Sequence, residues 1–285
     1  MKPILILPLT VLVISILSTV DGRDITVGSG GDYSRIQDAI DDSSDGDVIW
    51  VMSGTYKENV DIDKPISLEG WNTDYGYPII DGDNGESAIT LSADGITVES
   101  LNVKNSRNAG IDVKSSNNNI VDIKASNNKY GILIEPSSSV NFIRSSNVGS
   151  TEVFSNTYGI FMDSSDSNII HLIKARKNNY GIYLKSSYFN DISGSDLVDN
   201  AKNDAHDDNT DLGNANTWNT NHYSEYDSSR EGCKNPDNDG NCDAPYVIPG
   251  GSMQDDNPKN KANKITIPNR RDKEKTSPPK KRKNN

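Results

Sequence analysis

Three aspartates in one short loop form the pattern best suited to metal binding. The loop begins at Cys233 and reads Cys-Lys-Asn-Pro-Asp-Asn-Asp-Gly-Asn-Cys-Asp, which places Asp237, Asp239 and Asp243 around Gly240. Alternating carboxylates at a glycine turn can converge on one hard cation, and Ca²⁺ takes about six to eight oxygen ligands. The pattern is shorter than an EF-hand loop and lacks its terminal Glu. We predict a calcium site here, with a solvated acidic loop as the alternative.

Five aromatic residues at two recurring positions are the candidates for ligand binding. Tyr130, Tyr158 and Tyr180 each precede a Gly-Ile pair, and Phe161 and Tyr183 each follow one. Flat aromatic surfaces suit the apolar faces of sugars. We therefore predict an extracellular or cell-surface polysaccharide as the ligand of these residues. The alternative is that the rings only pack one repeat on the next.

The aromatic residues belong to an internal repeat. The Gly-Ile pairs that begin at Gly110, Gly131, Gly159 and Gly181 are separated by 21, 28 and 22 residues. The longer step predicts an insertion of about six residues, best placed at 147–152. Around each Ile, apolar residues flank a variable middle position, which is typical of a strand with one buried face. These triplets are Ile89–Leu91, Ile111–Val113, Ile132–Ile134, Ile160–Met162 and Ile182–Leu184.

Short strands at this spacing predict an all-β solenoid. Each strand would pair with its counterpart one coil away, ~4.8 Å along the axis, and parallel crossovers are nearly always right-handed. Roughly 190 residues at 22 per coil give about eight coils. We predict a right-handed parallel β-helix over residues 23–258, including a C-terminal cap and the loop 233–242.

Asparagines recur with the same spacing and have a structural interpretation. Asn tolerates the left-handed backbone of tight bends, and its amide can bond to the Asn of the coils above and below. We predict two such ladders, the first of which leads into a second strand with an apolar residue two positions after each Asn. The columns are Asn119, Asn141, Asn168 and Asn190, followed by Val121, Ile143, Ile170 and Ile192, and separately Asn128, Asn156 and Asn178.

A short amphipathic helix is predicted to cover the first coil. Over residues 32–42, helical spacing puts Ile36, Ala39 and Ile40 on one face. Asp32 or Ser34 is the expected N-cap. Solenoids need such caps because their terminal coils would otherwise expose an apolar end.

The N-terminus indicates the compartment. Lys2 precedes an apolar run over residues 4–17, so that 1–22 resembles a secretory signal peptide. An uncleaved anchor is the alternative, although the run is shorter than the ~20 residues of a membrane span. We predict a secreted or cell-surface protein without a membrane span in its mature form. Since such compartments are oxidising, a Cys233–Cys242 disulfide is expected.

Charge is distributed unevenly along the chain. Residues 259–285 hold 11 Lys/Arg and 2 Asp/Glu, whereas the rest of the chain holds 18 and 39, a net charge of −21. A body this acidic repels nucleic acid and anionic lipid, so neither is an expected partner. The basic tail 259–285 has almost no core residues and is predicted to be disordered.

Several motifs resemble a known group of proteins. The chain has Gly-Asp-x-Ile-x-Val at 46–51, Gly-Thr-Tyr-x-Glu-Asn-Val at 54–60 and a closing segment at 244–251. The motif Asn-x-Tyr-Gly-Ile recurs at 128–132, 156–160 and 178–182. Together they resemble the NosD-like, carbohydrate-binding and sugar-hydrolysis group of the pectate-lyase-like superfamily, including archaeal surface proteins. The resemblance covers about residues 24–258 and implies the β-helix architecture.

The resemblance also implies two further functions, copper-site maturation and polysaccharide cleavage. Copper needs Cys, Met or His ligands, but His171, His206 and His222 have no ligand spacing, so copper is not expected. A glycosidase needs two carboxylates ~5–9.5 Å apart. Pairs such as Asp81 with Asp83, or Asp163 with Asp166, occur by chance among 41 acidic residues. We assign no catalytic residue and predict a non-catalytic binding or structural module, with a lyase or glycoside hydrolase as the alternative.

Overall fold

Three parallel sheets wind around one apolar interior and form a β-helix. The computed structural model describes residues 22–73, 76–146 and 150–263. The predicted signal peptide before Gly22, the middle of the predicted insertion and the tail after Asn263 lie outside these residues. Each coil contributes one strand to each sheet, and strands of successive coils pair in parallel. The parallel β-helix of about eight coils predicted from the repeat is confirmed.

The strands are short and follow the order sheet A, sheet B, sheet C within each full coil. Sheet A contains β1 (Asp24–Val27), β2 (Val48–Met52), β5 (Ser67–Trp71), β8 (Thr97–Glu99), β11 (Asn119–Val121), β14 (Phe142–Arg144), β17 (Ile169–His171), β20 (Asp191–Ser193), β23 (Thr217–Asn219), β25 (Tyr246–Val247) and β26 (Gln254–Asp255). Sheet B contains β3 (Thr55–Lys57), β6 (Ile79–Asp81), β9 (Asn102–Lys104), β12 (Lys124–Ser126), β15 (Glu152–Phe154), β18 (Lys174–Arg176), β21 (Asp196–Val198) and β24 (His222–Tyr223). Sheet C contains β4 (Val60–Ile62), β7 (Ile89–Leu91), β10 (Ala109–Val113), β13 (Tyr130–Ile134), β16 (Tyr158–Asp163), β19 (Tyr180–Lys185) and β22 (Asn203–Asp207).

The interior is built from the outer positions of the predicted triplets. Ile111, Ile132, Ile160 and Ile182 stand in register in sheet C and are fully buried. Glycine precedes each of them because the coils approach closely there. A Cβ on Gly131, for example, would lie 2.5 Å from the carbonyl oxygen of the Gly in the next coil.

Two asparagine ladders run along the solenoid, as predicted. In one, Asn128 donates to Asn156 and Asn156 donates to Asn178, each amide bond measuring 3.2 Å. In the other, the ladder partner of Asn141 is Asn118 (2.9 Å), so the predicted position of Asn119 is wrong by one residue.

The same one-residue error affects the apolar residues predicted to follow this ladder. Ile120, rather than Val121, lies in register with Ile143. Three consecutive asparagines at 117–119 make the step ambiguous in sequence, and the coil-to-coil hydrogen bonds select Asn118.

The N-terminal helix α1 (Ile36–Asp42) covers the first coil with Ile36, Ala39 and Ile40 buried, as predicted. Its predicted caps are wrong. Arg35 is the N-cap residue and makes no side-chain cap bond, while Asp32 bonds to Thr26. Instead the Glu58 carboxylate accepts the N–H groups of Ile36 (3.0 Å) and of the next residue (3.1 Å). A carboxylate at a helix N-terminus satisfies free donors and the helix dipole together.

Buried aspartates end the asparagine ladders at the other end of the solenoid. Asn200 donates to Asp204 (2.9 Å), and Asn216 donates to Asp207 (3.0 Å). The last amide of a ladder needs an acceptor and no further donor, which a carboxylate provides. Burial raises the pKa of Asp204 and that of Asp207.

The folded body extends past the predicted boundary at 258. β25 and β26 close the edge of sheet A as an antiparallel pair. Beyond them, Lys259 donates to the Asn221 carbonyl (2.8 Å). The backbone N–H of Asn263 donates to Asp196 (2.7 Å). The first residues of the predicted disordered tail are therefore packed on the solenoid.

The insertion lies between sheets A and B. The connection from β14 to β15 runs from Arg144 to Glu152, whereas the neighbouring coil needs only Asp122 and Ile123 between β11 and β12. Its position in the chain is as predicted. The connection joins sheets A and B, whereas the aromatic residues lie on sheet C.

Candidate functional site

The predicted disulfide is present at the base of the acidic loop. Cys233 and Cys242 are bonded, with their Cα atoms 4.8 Å apart. The predicted calcium ligands make local contacts: Asp239 accepts from the backbone (2.7 Å) and amide (2.8 Å) of Asn241. Within the described ranges, no three His, Cys, Asp or Glu side chains are grouped to hold a metal ion. Asp237 and Asp243 do not join Asp239 in such a group, and calcium binding here stays a prediction.

The aromatic residues come together on the outer face of sheet C, where parallel pairing stacks equivalent positions. We call this surface the aromatic stripe, and it has two columns. The tyrosine column has ring centroids 5.3 Å and 5.1 Å apart, and the mixed column has 5.3 Å and 4.1 Å. The stripe consists of Tyr130, Tyr158 and Tyr180 in the first column and Phe161, Tyr183 and His206 in the second.

Within each column of the stripe, the aromatic rings stack face to face on one another. Tyr158 and Tyr180 are almost parallel, with 6° between their planes. At the ends of this column, the Lys129 ammonium lies 4.7 Å from the Tyr130 ring centre and the Lys202 ammonium lies 5.2 Å from that of Tyr180. Such cation–π contacts occupy the ring faces that sugars were expected to use. The edges of the tyrosine rings, with their hydroxyls, are the parts left for a ligand.

Phe161 lies at the centre of the stripe and is only 9% exposed. It packs with Leu133 and Ala109 as a small apolar cluster outside the sheet, covered by partly buried tyrosines. Its side chain is outside the solenoid, as the alternation predicted, but its neighbours cover it. Phe161 therefore supports the rings around it, and the four tyrosines of the stripe remain partly exposed.

Sequence reasoning missed His206 as a member of the stripe. Its ring stacks on Tyr183, with centroids 4.1 Å apart, and burial lowers its pKa. The coil of His206 has Asp204-Ala205 where the previous coils have Gly-Ile. The repeat pattern was therefore lost, although the 23-residue spacing from Tyr183 could have located His206.

Charged side chains border the stripe. On the side opposite Lys129 and Lys202, Asp163 pairs with Lys185 at 3.0 Å. The Asp208 carboxylate in the next coil accepts a backbone N–H (2.7 Å). The border therefore carries charges of both signs.

Two carboxyl groups with raised pKa values lie at the end of the stripe near β10 and β13. Asp112 is directly in register with Leu133, 3% exposed, and its Oδ1 has no hydrogen-bond partner among the described residues. Burial raises the pKa of Asp112 despite Lys114 at 3.5 Å. Burial and the charge of Asp112 together raise the pKa of Glu135.

The carboxylate pairs considered from sequence have structural partners instead. Asp81 accepts from the backbone N–H of Asp83 (3.1 Å) and lies 3.5 Å from Lys104. Asp163 is held by Lys185, and Asp166 accepts the N–H of Tyr188 at 2.7 Å.

This architecture defines the class of protein: a parallel β-helix with an aromatic stripe on one outer face. The family model described as "Periplasmic copper-binding protein (NosD)" matches residues 40–231. The match covers more than half of the chain, and the chain belongs to this family. The resemblance stated from the motifs is therefore confirmed.

Curated relatives and a solved structure agree with the fold. A "Cell surface glycoprotein" of Methanothermus fervidus is 30% identical over 112 residues, 38% of this chain and 18% of that protein. A "Probable pectinesterase A" of Aspergillus niger is 32% identical over 105 residues, 30% of this chain and 32% of that protein. The chain thus spans less than a third of either relative's length. The structure of pectate lyase Pel9A is similar with a TM-score of 0.51 and 16% identity, covering 73% of this chain and 63% of that one.

The copper named in the family description does not fit the described residues. His206 stacks in the stripe, His171 bonds to Ser193 on sheet A, and His222 is buried between strands of sheet B and the C-terminal segment. Both cysteines form the disulfide, and Met162 is fully buried in the interior. In the described part of the chain, the histidines and cysteines thus form no cluster that could hold copper. Among the described residues, no helix has the length and apolarity required to cross a membrane.

Proposed function

We propose that this protein is an extracytoplasmic β-helix module that binds carbohydrate through the aromatic stripe and does not cleave it. The family description names the periplasm, and one relative is named a cell surface glycoprotein. Both support a location outside the cytoplasm. The disulfide between Cys233 and Cys242 is also in keeping with an oxidising compartment.

One observation carries the binding proposal. Tyr130, Tyr158 and Tyr180 stand in register on the outer face of sheet C, Tyr183 lies in the column beside them, and all four remain partly exposed. The solenoid interior does not need them, because every coil already buries aliphatic residues on the inner face. Aligned, partly exposed aromatic side chains with polar tips are typical of surfaces that bind a ligand.

The test is affinity electrophoresis in gels that contain a soluble polysaccharide, run over a panel of neutral and anionic polymers. We expect the native protein to be retarded by at least one polymer, and the double variant Tyr158→Ser with Tyr183→Ser to migrate freely. The matched control is Phe142→Ser with Phe189→Ser, two aromatic residues 39% and 56% exposed away from the stripe. Equal retardation of both double variants, or no retardation by any polymer, would refute the proposal.

Polysaccharide cleavage is the second candidate function, and the Asp112–Glu135 pair is the observation that favours it. The pKa of each group is raised, as a general acid requires. Release of new reducing ends, or of unsaturated ends, from the same panel tests this activity. Cleavage that disappears in Glu135→Gln but persists in Glu152→Gln would replace the non-catalytic proposal. In sheet B, Glu152 is the ion-pair partner of Arg176.

A further inference from the structure

We infer that the ligand of the stripe is a neutral, linear polysaccharide that lies along the solenoid axis and hydrogen-bonds to the tyrosine hydroxyls. This inference rests on the proposed function and specifies its ligand. Three independent features of the stripe carry it: the orientation of the rings, the spacing of the coils and the charge of the surroundings.

The orientation of the tyrosine rings favours hydrogen bonding to a sugar over stacking of the sugar on a ring face. The tyrosine column is closed at both ends by lysines, at 4.7 Å from Tyr130 and 5.2 Å from Tyr180. Tyr183 meets Tyr158 and Tyr180 edge to face, at 90° and 88°. None of the four tyrosine hydroxyls bonds to another group among the described residues. A sugar that reaches the stripe would therefore meet phenolic O–H groups, which both donate and accept.

Coil spacing selects a linear polymer that runs along the axis. Tyr130, Tyr158 and Tyr180 repeat with centroids 5.3 Å and 5.1 Å apart, close to the length of one sugar unit in an extended chain. One coil therefore matches one sugar, and a polymer that repeats its hydroxyls can make the same contact on each coil. A branched or globular ligand would gain nothing from this repetition.

Charge selects a neutral polymer. The cations nearest the tyrosine column are Lys129 and Lys202, and both lie over tyrosine rings. The third cation, Lys185, pairs with Asp163 at 3.0 Å. Only these three lysines lie against the stripe in the contacts described above, whereas residues 1–258 carry a net charge of −21. An anionic polymer would be repelled by this body over the ~8 Å range that physiological salt allows.

The Tyr183 hydroxyl can serve as a hydrogen-bond donor at neutral pH. Burial, followed by the charge of Asp208, raises the pKa of Tyr183. Tyr183 can therefore donate to a sugar oxygen throughout the neutral range.

The experiment is isothermal titration with hexasaccharides: cellohexaose, mannohexaose and xylohexaose as neutral probes and hexagalacturonate as the anionic probe. The test protein is the double variant Tyr158→Phe with Tyr180→Phe, which lacks two hydroxyls and keeps the stacked rings. The control is Tyr188→Phe, a tyrosine outside the stripe. We expect at least one neutral probe to bind, and the double variant to bind it about tenfold more weakly, since two neutral hydrogen bonds contribute about that factor. We expect the control to bind like the native protein.

A length series adds a second measurement. Affinity for the neutral sugar should rise from the monosaccharide up to the trisaccharide and then level off, because the tyrosine hydroxyls lie on three coils, those of β13, β16 and β19.

The outcomes separate this inference from the function on which it rests. Preferential binding of hexagalacturonate overturns the neutral ligand and leaves carbohydrate binding intact. Unchanged affinity in the Phe double variant overturns hydroxyl recognition, and the Ser variants of the electrophoresis then show whether the stripe binds at all. Failure of every hexasaccharide and every polymer of the panel overturns the proposed function itself.

Discussion

Replacing Asn178 by Ala tests how much an asparagine ladder stabilises the solenoid. The Asn178 side chain is 2% exposed and makes four hydrogen bonds. Its Oδ1 accepts the backbone N–H (3.0 Å) and the amide (3.2 Å) of Asn156. Its Nδ2 donates to the Val153 carbonyl (3.1 Å) and to Asn200 Oδ1 (3.0 Å). The Ala side chain can replace none of these bonds.

The magnitude depends on which partners stay unpaired. In Asn178→Ala, the amide of Asn156 keeps its bond to the Ala125 carbonyl, and Asn200 Oδ1 keeps the Asn178 backbone N–H. The backbone N–H of Asn156 loses its side-chain acceptor, which costs about 1–3 kcal/mol for a buried group. Together with the bonds lost elsewhere, we expect about 3 kcal/mol. For a domain of this size the melting temperature should fall by about 6–12 °C.

The next residue supplies a matched control. The Asn179 side chain is exposed and makes no hydrogen bond to the described part of the chain, so Asn179→Ala should change stability by less than about 0.5 kcal/mol. Thermal and urea unfolding, followed by circular dichroism, measure both variants. A loss below about 1 kcal/mol in Asn178→Ala, or equal losses in the two variants, would show that the ladder follows from the fold and does not hold it together.

Two further predictions concern carboxylates. Glu58→Ala should destabilise the protein by about 1–2 kcal/mol, because two N–H groups of α1 lose their acceptor. Urea unfolding measures this loss, and Glu86→Ala, which removes only an exposed ion pair with Arg107, is the control. Asp112→Asn should raise stability at pH 7. Since burial raises the folded-state pKa of Asp112, the native protein loses stability as pH rises from the unfolded value of about 3.9 through that higher value.

The pH profile distinguishes this explanation from a simple packing effect. The advantage of Asp112→Asn should disappear below about pH 4, where Asp112 is protonated in both states. Melting temperatures of both proteins between pH 3 and 8 give the profile. A constant difference across that range, or a less stable variant at pH 7, contradicts a buried charge as the cause.

The architecture could be predicted because its causes are local and repeated. A strand with apolar residues at alternate positions has one buried face, and several such strands at a constant interval have few folds available other than a solenoid. Ile111 and its equivalents, the Gly before each of them, and the disulfide between Cys233 and Cys242 were therefore readable from composition and spacing. The aromatic positions were readable for the same reason.

Details that depend on two coils at once could not be predicted. Asn118 and Asn119 are equivalent locally, and only hydrogen bonds to a coil 23 residues away distinguish them. Likewise, Glu58 caps the N-terminus of α1 from 22 residues further along the chain, whereas capping rules consider only residues next to the helix.

The sequence by itself determined a parallel β-helix with aromatic residues on one outer face. Only the tertiary structure decided what those residues offer to a ligand. Lys129 and Lys202 lie over the end tyrosines, and His206 extends the second column. The physical reason is that spacing fixes where a side chain starts, whereas its neighbours in adjacent coils fix which part of it remains exposed.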